Sequence, residues 1–214
     1  TVDRERLNQY LKGDTTSLYF RKDDRRLVID LFLGRLTDSK DSVDLVALRE
    51  VALRMMDDIF ENGRPDPGAG RWLKKVTESF SEVFVMENRG LGKFLEFSHQ
   101  ENYLSQQAVM TMVFTIAIAV SLEIKNLAVL KVLAMGALLH DIGMAELNIR
   151  PQELDRPLKP EEWAEVRQHP VMGVSVLLNA NYLNAEVSEI VYQHHERWDG
   201  SGYPQGLLGH KISL

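Results

Sequence analysis

The chain of 214 residues is acidic, with 31 Asp and Glu residues against 25 Lys and Arg residues and a net charge of −6. Hydrophobic residues make up 44% of the sequence and charged residues 26%, an ordinary globular composition with enough length to bury a sizeable core. The acidic balance argues against binding to a nucleic acid polymer, and the absence of cysteine excludes disulfides and thiolate metal sites.

The first half of the sequence predicts two helices. Helical spacing recurs while strand-like alternation is almost absent, so we predict an all-α fold. The first helix follows the apolar stripe Leu45, Leu48, Ala52, Met55 and Ile59, with Asp41 or Ser42 as its cap. The Pro- and Gly-rich stretch 61–71 ends it. A second helix is predicted over 72–84, and a glycine-containing break follows at 88–94.

The second half predicts more apolar helices. We expect helices at 101–121 and 127–139, with Asn126 as the cap of the latter. Three more are expected: one that starts at Pro160 and ends before Pro170, one over 171–180, and one from about Ala185 to the histidine pair. The most apolar run, 108–122, is shorter than the ~20 residues that a membrane span needs, so we interpret it as a buried core helix.

The breaks predict two parts. Residues 1–90 form a smaller helical region for signal input or dimerisation, and residues 95–214 form the core domain. The chain begins at Thr1 without a methionine and stops at Leu214 just after a turn, so we expect a piece of a longer protein. No targeting or membrane-spanning segment is recognised in the sequence, which predicts a cytoplasmic location.

Five potential metal ligands stand at or near predicted helix ends, namely His140, Asp141, His169, His194 and His195. Neutral imidazoles with a carboxylate suit Fe, Mn, Zn, Ni or Co. Adjacent residues in mid-helix point about 100° apart, whereas a helix terminus lets both members of a pair face one ion. The alternative for any single histidine is a hydrogen-bonded structural role, which we retain for His99 and His210.

The motifs HDIG at 140–143, HP at 169–170 and HHERWDGSGYP at 194–204 resemble the HD-GYP family of bacterial signalling proteins. Characterised members are metal-dependent phosphodiesterases that act on cyclic di-GMP. The resemblance extends from about residue 95 to the end and implies an HD-type helical bundle. It also implies a divalent transition metal, one or two ions of Fe, Mn, Ni or Zn.

The resemblance implies a role for each motif residue. His140 and Asp141 would be catalytic and would bind metal, with Asp141 bridging two ions, while His169, His194 and His195 would complete the shell of the second ion. The following turn would contact the substrate or a diguanylate-cyclase partner through Arg197, Asp199, Gly200, Gly202, Tyr203 and Pro204. We expect Gly200 and Gly202 to supply backbone angles closed to other residues. Glu196 would orient a ligand or form a surface salt bridge.

The sequence departs from the family pattern at two places. Glu101 matches an upstream glutamate and is a further candidate ligand, but Ser105 stands where we expect a metal-binding histidine. Met144 replaces the lysine that usually follows HDIG. A further family aspartate would lie beyond Leu214. One metal ion is therefore better supported than two.

Three functions remain open. The leading hypothesis is a phosphodiesterase that hydrolyses cyclic di-GMP to pGpG or GMP, with a homodimer as one assembly open to it. The second is a degenerate HD-GYP module that binds metal, nucleotide or a diguanylate cyclase without efficient turnover. The third is an HD-type phosphohydrolase or non-enzymatic module for another nucleotide, against which the complete GYP turn argues.

Overall fold

Helices make up most of the chain that the computed structural model describes, which is residues 45–63, 65, 69–86, 102–180 and 184–213. Seven α-helices lie in these ranges: α1 (Leu45–Asn62), α2 (Ala69–Met86), α3 (Tyr103–Ser121), α4 (Leu127–Leu139), α5 (Pro160–Val166), α6 (His169–Asn179) and α7 (Ala185–Gln193). Three 3₁₀ turns lie at Ile142–Glu146, Pro151–Glu153 and Gly209–Lys211. The described ranges contain no strand, only an isolated bridge between Asp199 and Leu208, so the predicted all-α fold is confirmed.

Part of the predicted organisation lies outside the described residues. This applies to the cap at Asp41 or Ser42, to Glu101 and to His99. Asp44–Leu214 form one compact unit, in which α1 contacts α3 and α2 contacts α4. The division into an N-terminal region 1–90 and a core domain 95–214 stays a prediction.

The apolar stripe predicted for α1 faces the core. Leu48, Ala52, Met55 and Ile59 are all buried. The positions follow the three- and four-residue spacing that brings side chains to one face of a helix. Helix α2 likewise buries four of the residues predicted for it, Val76, Phe80, Val83 and Phe84. These two helices form one side of the core.

Helices α3 and α4 pack against each other at the centre of the fold. The Asn126 side chain accepts a hydrogen bond from the Ala128 amide at 2.9 Å, which confirms the predicted cap of α4. Asn102 caps α3 in the same way through the Leu104 amide at 3.0 Å. Residues 103–121 and 127–146 are long and apolar enough to span a bilayer, but about half of each is buried within the fold, as expected of core helices.

Helix α5 is short and is fixed at its start by a carboxylate. Pro160 takes the first position, as predicted, and Glu162 accepts a hydrogen bond from the Lys159 amide at 2.7 Å. The Arg156 guanidinium reaches both oxygens of Glu162, at 2.7 and 2.8 Å. This ion pair, with the Lys159 amide, lowers the pKa of Glu162 to about 2.

Helix α6 starts at His169, two residues earlier than predicted, because Pro170 occupies its first turn, where a missing amide proton costs nothing. Its start approaches the 3₁₀ turn after α4 very closely. A Cβ atom built on Gly143 would lie 2.0 Å from the His169 carbonyl oxygen and 2.5 Å from the Gly173 nitrogen. Only glycine at residue 143 allows this approach, which sets the separation between Asp141 and His169.

We predict that Gly143→Ala destabilises the protein more than Gly173→Ala. The first methyl group meets backbone atoms, whereas the second meets mainly the Val191 side chain at 2.8 Å, which is able to move. Overpacking costs about 1–3 kcal/mol or more when backbone must shift. Urea unfolding of both variants measures the difference in unfolding free energy. Equal losses would show that the close approach at Gly143 is not a rigid constraint.

Candidate metal centre

Four of the predicted ligands converge in the fold. One ligand atom from each of Asp141, His169, His194 and His195 lies within 4.8 Å of the other three. Asp141 follows α4, His169 starts α6, and His194 and His195 follow α7. The prediction that separate helix ends meet at one point is thus borne out for these four side chains. Their roles as ligands stay a prediction.

Each of three imidazoles is held by a carbonyl group three residues before it. The Nδ1 atoms of His140, His169 and His194 lie 2.7, 2.7 and 2.8 Å from the carbonyl oxygens of residues 137, 166 and 191. A carbonyl oxygen only accepts, so each Nδ1 carries a proton and donates it. The Nε2 atom is then the one available to a cation or a second proton.

The Nε2 atoms of His169 and His194 face each other at 3.0 Å. The Asp141 Oδ1 atom lies 3.1 Å from the first and 3.5 Å from the second. With both Nδ1 atoms donating to carbonyl groups, the two Nε2 atoms and an anionic oxygen point at the same small volume. This arrangement requires positive charge between them, and imidazole nitrogens with a carboxylate oxygen are a donor set that divalent transition metals accept.

The second oxygen of Asp141 faces a different environment. Oδ2 lies 3.1 Å from His140 Nε2 and 3.2 Å from the Gln107 side-chain amide on α3. The carboxylate therefore separates a side rich in imidazole from a side that offers one imidazole and one amide. An amide oxygen is a weaker ligand than an imidazole for these metals, so the Oδ1 side is the stronger candidate.

Charge at the centre is set by burial and by mutual hydrogen bonds. Burial alone would raise the pKa of Asp141, but the hydrogen bonds with His140, His169 and His194 outweigh it and hold the pKa well below its usual range. Burial alone would lower the pKa of His140, yet its hydrogen bond to Asp141 raises it overall. Asp141 is therefore an anion throughout the physiological range.

His195 differs from the other histidines in its environment. Burial, together with the charges of His194 and His169, lowers the pKa of His195 to about 4. Its imidazole is therefore neutral at physiological pH, the form that binds metals. The ring stacks on Tyr203 with centroids 4.6 Å apart and planes 20° apart. Burial likewise raises the pKa of Tyr203 to about 12, so its phenol stays protonated.

The turn from Arg197 to Leu208 folds back onto the histidine pair. The Tyr203 amide donates to the His195 carbonyl oxygen at 3.3 Å, and the Tyr203–Pro204 peptide bond is cis. Gly200 has a φ of +76°, the backbone angle predicted for it. Gly202 is required for a different reason: a Cβ there would lie 2.4 Å from the Arg197 nitrogen. Tyr203 is thereby brought to the centre.

Glu196 holds the far side of this turn. Its carboxylate accepts hydrogen bonds from the backbone amides of Gln205, Gly206 and Leu207, at 2.7, 3.1 and 2.8 Å. Sequence reasoning left a ligand-orienting role and a salt bridge open, and the structure shows neither as the principal contact. The sequence does contain a signal for this contact. Glu196 stands just before a glycine-rich turn, and the backbone amides of such a turn need acceptors that regular secondary structure does not supply.

Other predicted site residues lie further out. Arg197 and Asp199 are exposed; Asp199 accepts two hydrogen bonds from Ser201 and lies 3.9 Å from Arg197. Their role in binding substrate or partner, together with that of Gly200, Gly202, Tyr203 and Pro204, stays a prediction. His210 packs against the Trp198 ring at 4.9 Å, which agrees with a structural role.

Helix α3 carries Ser105, the residue that stands where we expect a metal-binding histidine. Gln107, not Ser105, reaches Asp141 from α3. Residues two apart on a helix project about 200° apart, so Ser105 and Gln107 lie on different faces of α3. Ser105 is fully buried, and its hydroxyl has no hydrogen-bond partner in the described part of the chain. The match of Ser105 to the family's histidine position stays a prediction.

The sequence of the core domain matches the HD domain family model over residues 97–214. A cyclic di-GMP phosphodiesterase of Pseudomonas aeruginosa, PA4108, is 35% identical over 141 residues, which cover 65% of this chain and 33% of the relative. A cyclic di-GMP phosphodiesterase of Thermotoga maritima is 42% identical over 82 residues, which cover 37% of this chain and 22% of the relative. The chain thus spans a third or less of these relatives.

A relative with a different named substrate is also similar. The 3'3'-cGAMP-specific phosphodiesterase 2 of Vibrio cholerae is 39% identical over 79 residues, 36% of this chain and 15% of that protein. Among solved structures, the HDG"Y"P protein Bd1817 of Bdellovibrio bacteriovorus superposes with a TM-score of 0.73 at 20% identity. The superposition covers 90% of this chain and 65% of that chain, and it shows that the two share a fold.

We predict that Glu196→Gln releases the turn without unfolding the helices. An amide side chain offers one acceptor oxygen in place of a carboxylate, so it is unable to hold three backbone amides. Hydrogen exchange at residues 205–207 should accelerate at least about tenfold, since charge-assisted hydrogen bonds contribute about 1.5–3 kcal/mol. The exposed Glu189→Gln on α7 serves as the control. Unchanged exchange at 205–207 would contradict the anchoring role.

Proposed function

The chain belongs to the HD domain family, and on that premise we propose that it is a metal-dependent phosphodiesterase that hydrolyses cyclic di-GMP in bacterial signalling. The product would be linear pGpG or GMP. The observation that carries the proposal is the convergence of Asp141 Oδ1 with two Nε2 atoms 3.0 Å apart, at the positions of the HD, HP and HH motifs. The names of the relatives from Pseudomonas and Thermotoga support the substrate.

The chain's own residues would prepare the centre for a divalent metal. Asp141, His169, His194 and His195 would hold it, and Fe, Mn, Ni and Zn all suit this donor set. Such an ion lowers the pKa of a bound water from about 15.7 towards 7 and neutralises charge on phosphate oxygens. The carbonyl groups of residues 137, 166 and 191 fix the orientation of three imidazoles, so little reorganisation is needed during the reaction.

His140 would act at the Oδ2 atom of Asp141, on the side of the carboxylate opposite the proposed metal ion. Its Nδ1 proton is donated to the Ala137 carbonyl, and its Nε2 faces Asp141 Oδ2. Because its pKa is raised, the ring is able to hold a proton at Nε2 close to the reacting phosphate, the position from which a leaving oxygen would be protonated. A substrate phosphate would thus be bound on one side and supplied with a proton on the other.

We infer that one ion is bound firmly. On the Oδ2 side, Gln107 contributes an amide, and Met144 offers no charge for a phosphate. The same feature favours a second candidate function, a degenerate module that binds cyclic dinucleotide or a diguanylate cyclase with little turnover.

A homodimer and a cyclase contact at the 197–204 turn are further proposals. A cytoplasmic location follows from the proposed substrate, which is an intracellular messenger.

The phosphodiesterase proposal is tested by product formation. The chain purified without oxygen and supplied with Mn²⁺ or Fe²⁺ should convert cyclic di-GMP to a linear product that chromatography separates. Asp141→Ala should reduce the rate by at least about a hundredfold, because it removes the ligand that contacts both sides of the centre. The exposed Asp155→Ala is the matched control.

The outcomes separate the two candidates. Saturable binding of cyclic di-GMP without product would support the degenerate module and contradict the phosphodiesterase. Cyclic GMP-AMP belongs in the same assay because a relative is named for that substrate. If product forms from cyclic GMP-AMP but not from cyclic di-GMP, the proposed phosphodiesterase reaction stands and the proposed substrate is wrong.

We predict that Gln107→His adds a second ion. The new imidazole would stand on the Oδ2 side of Asp141 beside His140, where the amide now lies. Elemental analysis should give about one metal ion per chain for the natural sequence and about two for the variant. Gln106→His, which projects about 100° away on α3, should leave the metal content unchanged. Equal metal content in all three proteins would contradict the interpretation that Asp141 Oδ1 and Oδ2 face two separate candidate metal sites.

A further inference from the structure

A cleft of about 350 Å³ opens along one face of α5. It is lined by Pro160, Trp163, Ala164 and Arg167, all from α5 and the residue that caps its end. Trp163 is 48% exposed, and Arg167 is also exposed. Residues four apart on a helix share a face, so the indole and the guanidinium border the same space. The volume lies at the lower end of the range for small-molecule sites, about 300–1,000 Å³.

One aromatic ring links this cleft to the candidate ligands. The guanidinium carbon of Arg167 lies 5.6 Å from the centroid of the Tyr203 ring. The opposite neighbour of Tyr203 is His195, which stacks on it at 4.6 Å. A nucleotide with its phosphate at Asp141 would therefore have its base within reach of Arg167 and Trp163.

The two side chains match the chemistry of guanine. An exposed indole offers a flat face on which a base stacks. A guanidinium donates two parallel hydrogen bonds to the O6 and N7 acceptors of guanine, whereas adenine presents an amino group at the corresponding edge. The structure gives the Arg167 guanidinium no carboxylate partner within the described ranges, so its donors are available. A lysine is also able to donate to O6 and N7, whereas a methionine, an uncharged and unbranched side chain, donates to neither.

We propose that Trp163 and Arg167 form a guanine-binding subsite, in which Trp163 stacks on the base and Arg167 selects guanine over adenine. The assignment of that base to cyclic di-GMP rests on the proposed function; the preference for guanine does not. Specificity for the base would thus be located on α5, outside the metal-binding residues.

The subsite is tested with two mononucleotides that differ only in their base. The full chain with its metal is titrated calorimetrically with GMP and with AMP, so any contribution from the phosphate is common to both. GMP should bind about tenfold more tightly than AMP. Arg167→Met should abolish most of that preference because it removes the donors, and Trp163→Ala should weaken the binding of both nucleotides about tenfold or more. Trp163→Phe should retain most of the stacking.

Controls separate recognition from folding and from general charge. Arg150→Gln removes an exposed guanidinium elsewhere and should leave both dissociation constants unchanged. Circular dichroism melting curves check that each variant is folded. Equal affinities for GMP and AMP, an absence of saturable GMP binding, or an Arg167→Met variant with its preference intact would each overturn the subsite.

The result is independent of the turnover assay. A preference for GMP without hydrolysis of cyclic di-GMP would retain the subsite and reject the phosphodiesterase. Hydrolysis of cyclic di-GMP by a chain that binds GMP and AMP equally would retain the enzyme and reject the subsite.

Discussion

The buried carboxylate of Asp141 is the interaction on which the arrangement of helices α4, α6 and α7 depends. Removing a charge from water costs several kcal/mol unless other groups compensate it. Here the compensation comes from imidazoles that reach the carboxylate from three helix ends. Each of those imidazoles has its other nitrogen bonded to a carbonyl group three residues earlier. The histidines are therefore fixed by their own helices before they meet the aspartate.

Much of this could be predicted from the sequence because the relevant signals are local. Asn126 precedes an apolar periodic run, and Pro160 precedes two glutamates, so the starts of α4 and α5 followed from capping and dipole rules. The histidines stand where helices were expected to end. Convergence of histidines with one carboxylate was a hypothesis drawn from residue chemistry, and three of them lie with Asp141 within 4.8 Å of one another.

The features that could not be predicted from the sequence depend on contacts between segments that are distant along the chain. Gln107 is an ordinary polar residue on an apolar helix, and only the packing of α3 against α4 shows that it faces Asp141. Gly143 and Gly202 look like turn glycines, yet each is required by the closeness of another backbone segment. Likewise, the three amides bonded by Glu196 lie nine to eleven residues later. Spacing rules carry no information about such contacts.

The hydrogen bonds from three successive backbone amides to Glu196 also limit which changes this part of the sequence tolerates during evolution. The carboxylate is attached directly after the histidine pair, so the number of residues between it and Gln205 is fixed by geometry. An insertion or deletion there would break three hydrogen bonds and shift Tyr203 away from His195. Gly202 is restricted in its identity as well, because a Cβ there would lie 2.4 Å from the Arg197 nitrogen. Homologues should therefore retain both the length of this turn and its glycine at residue 202.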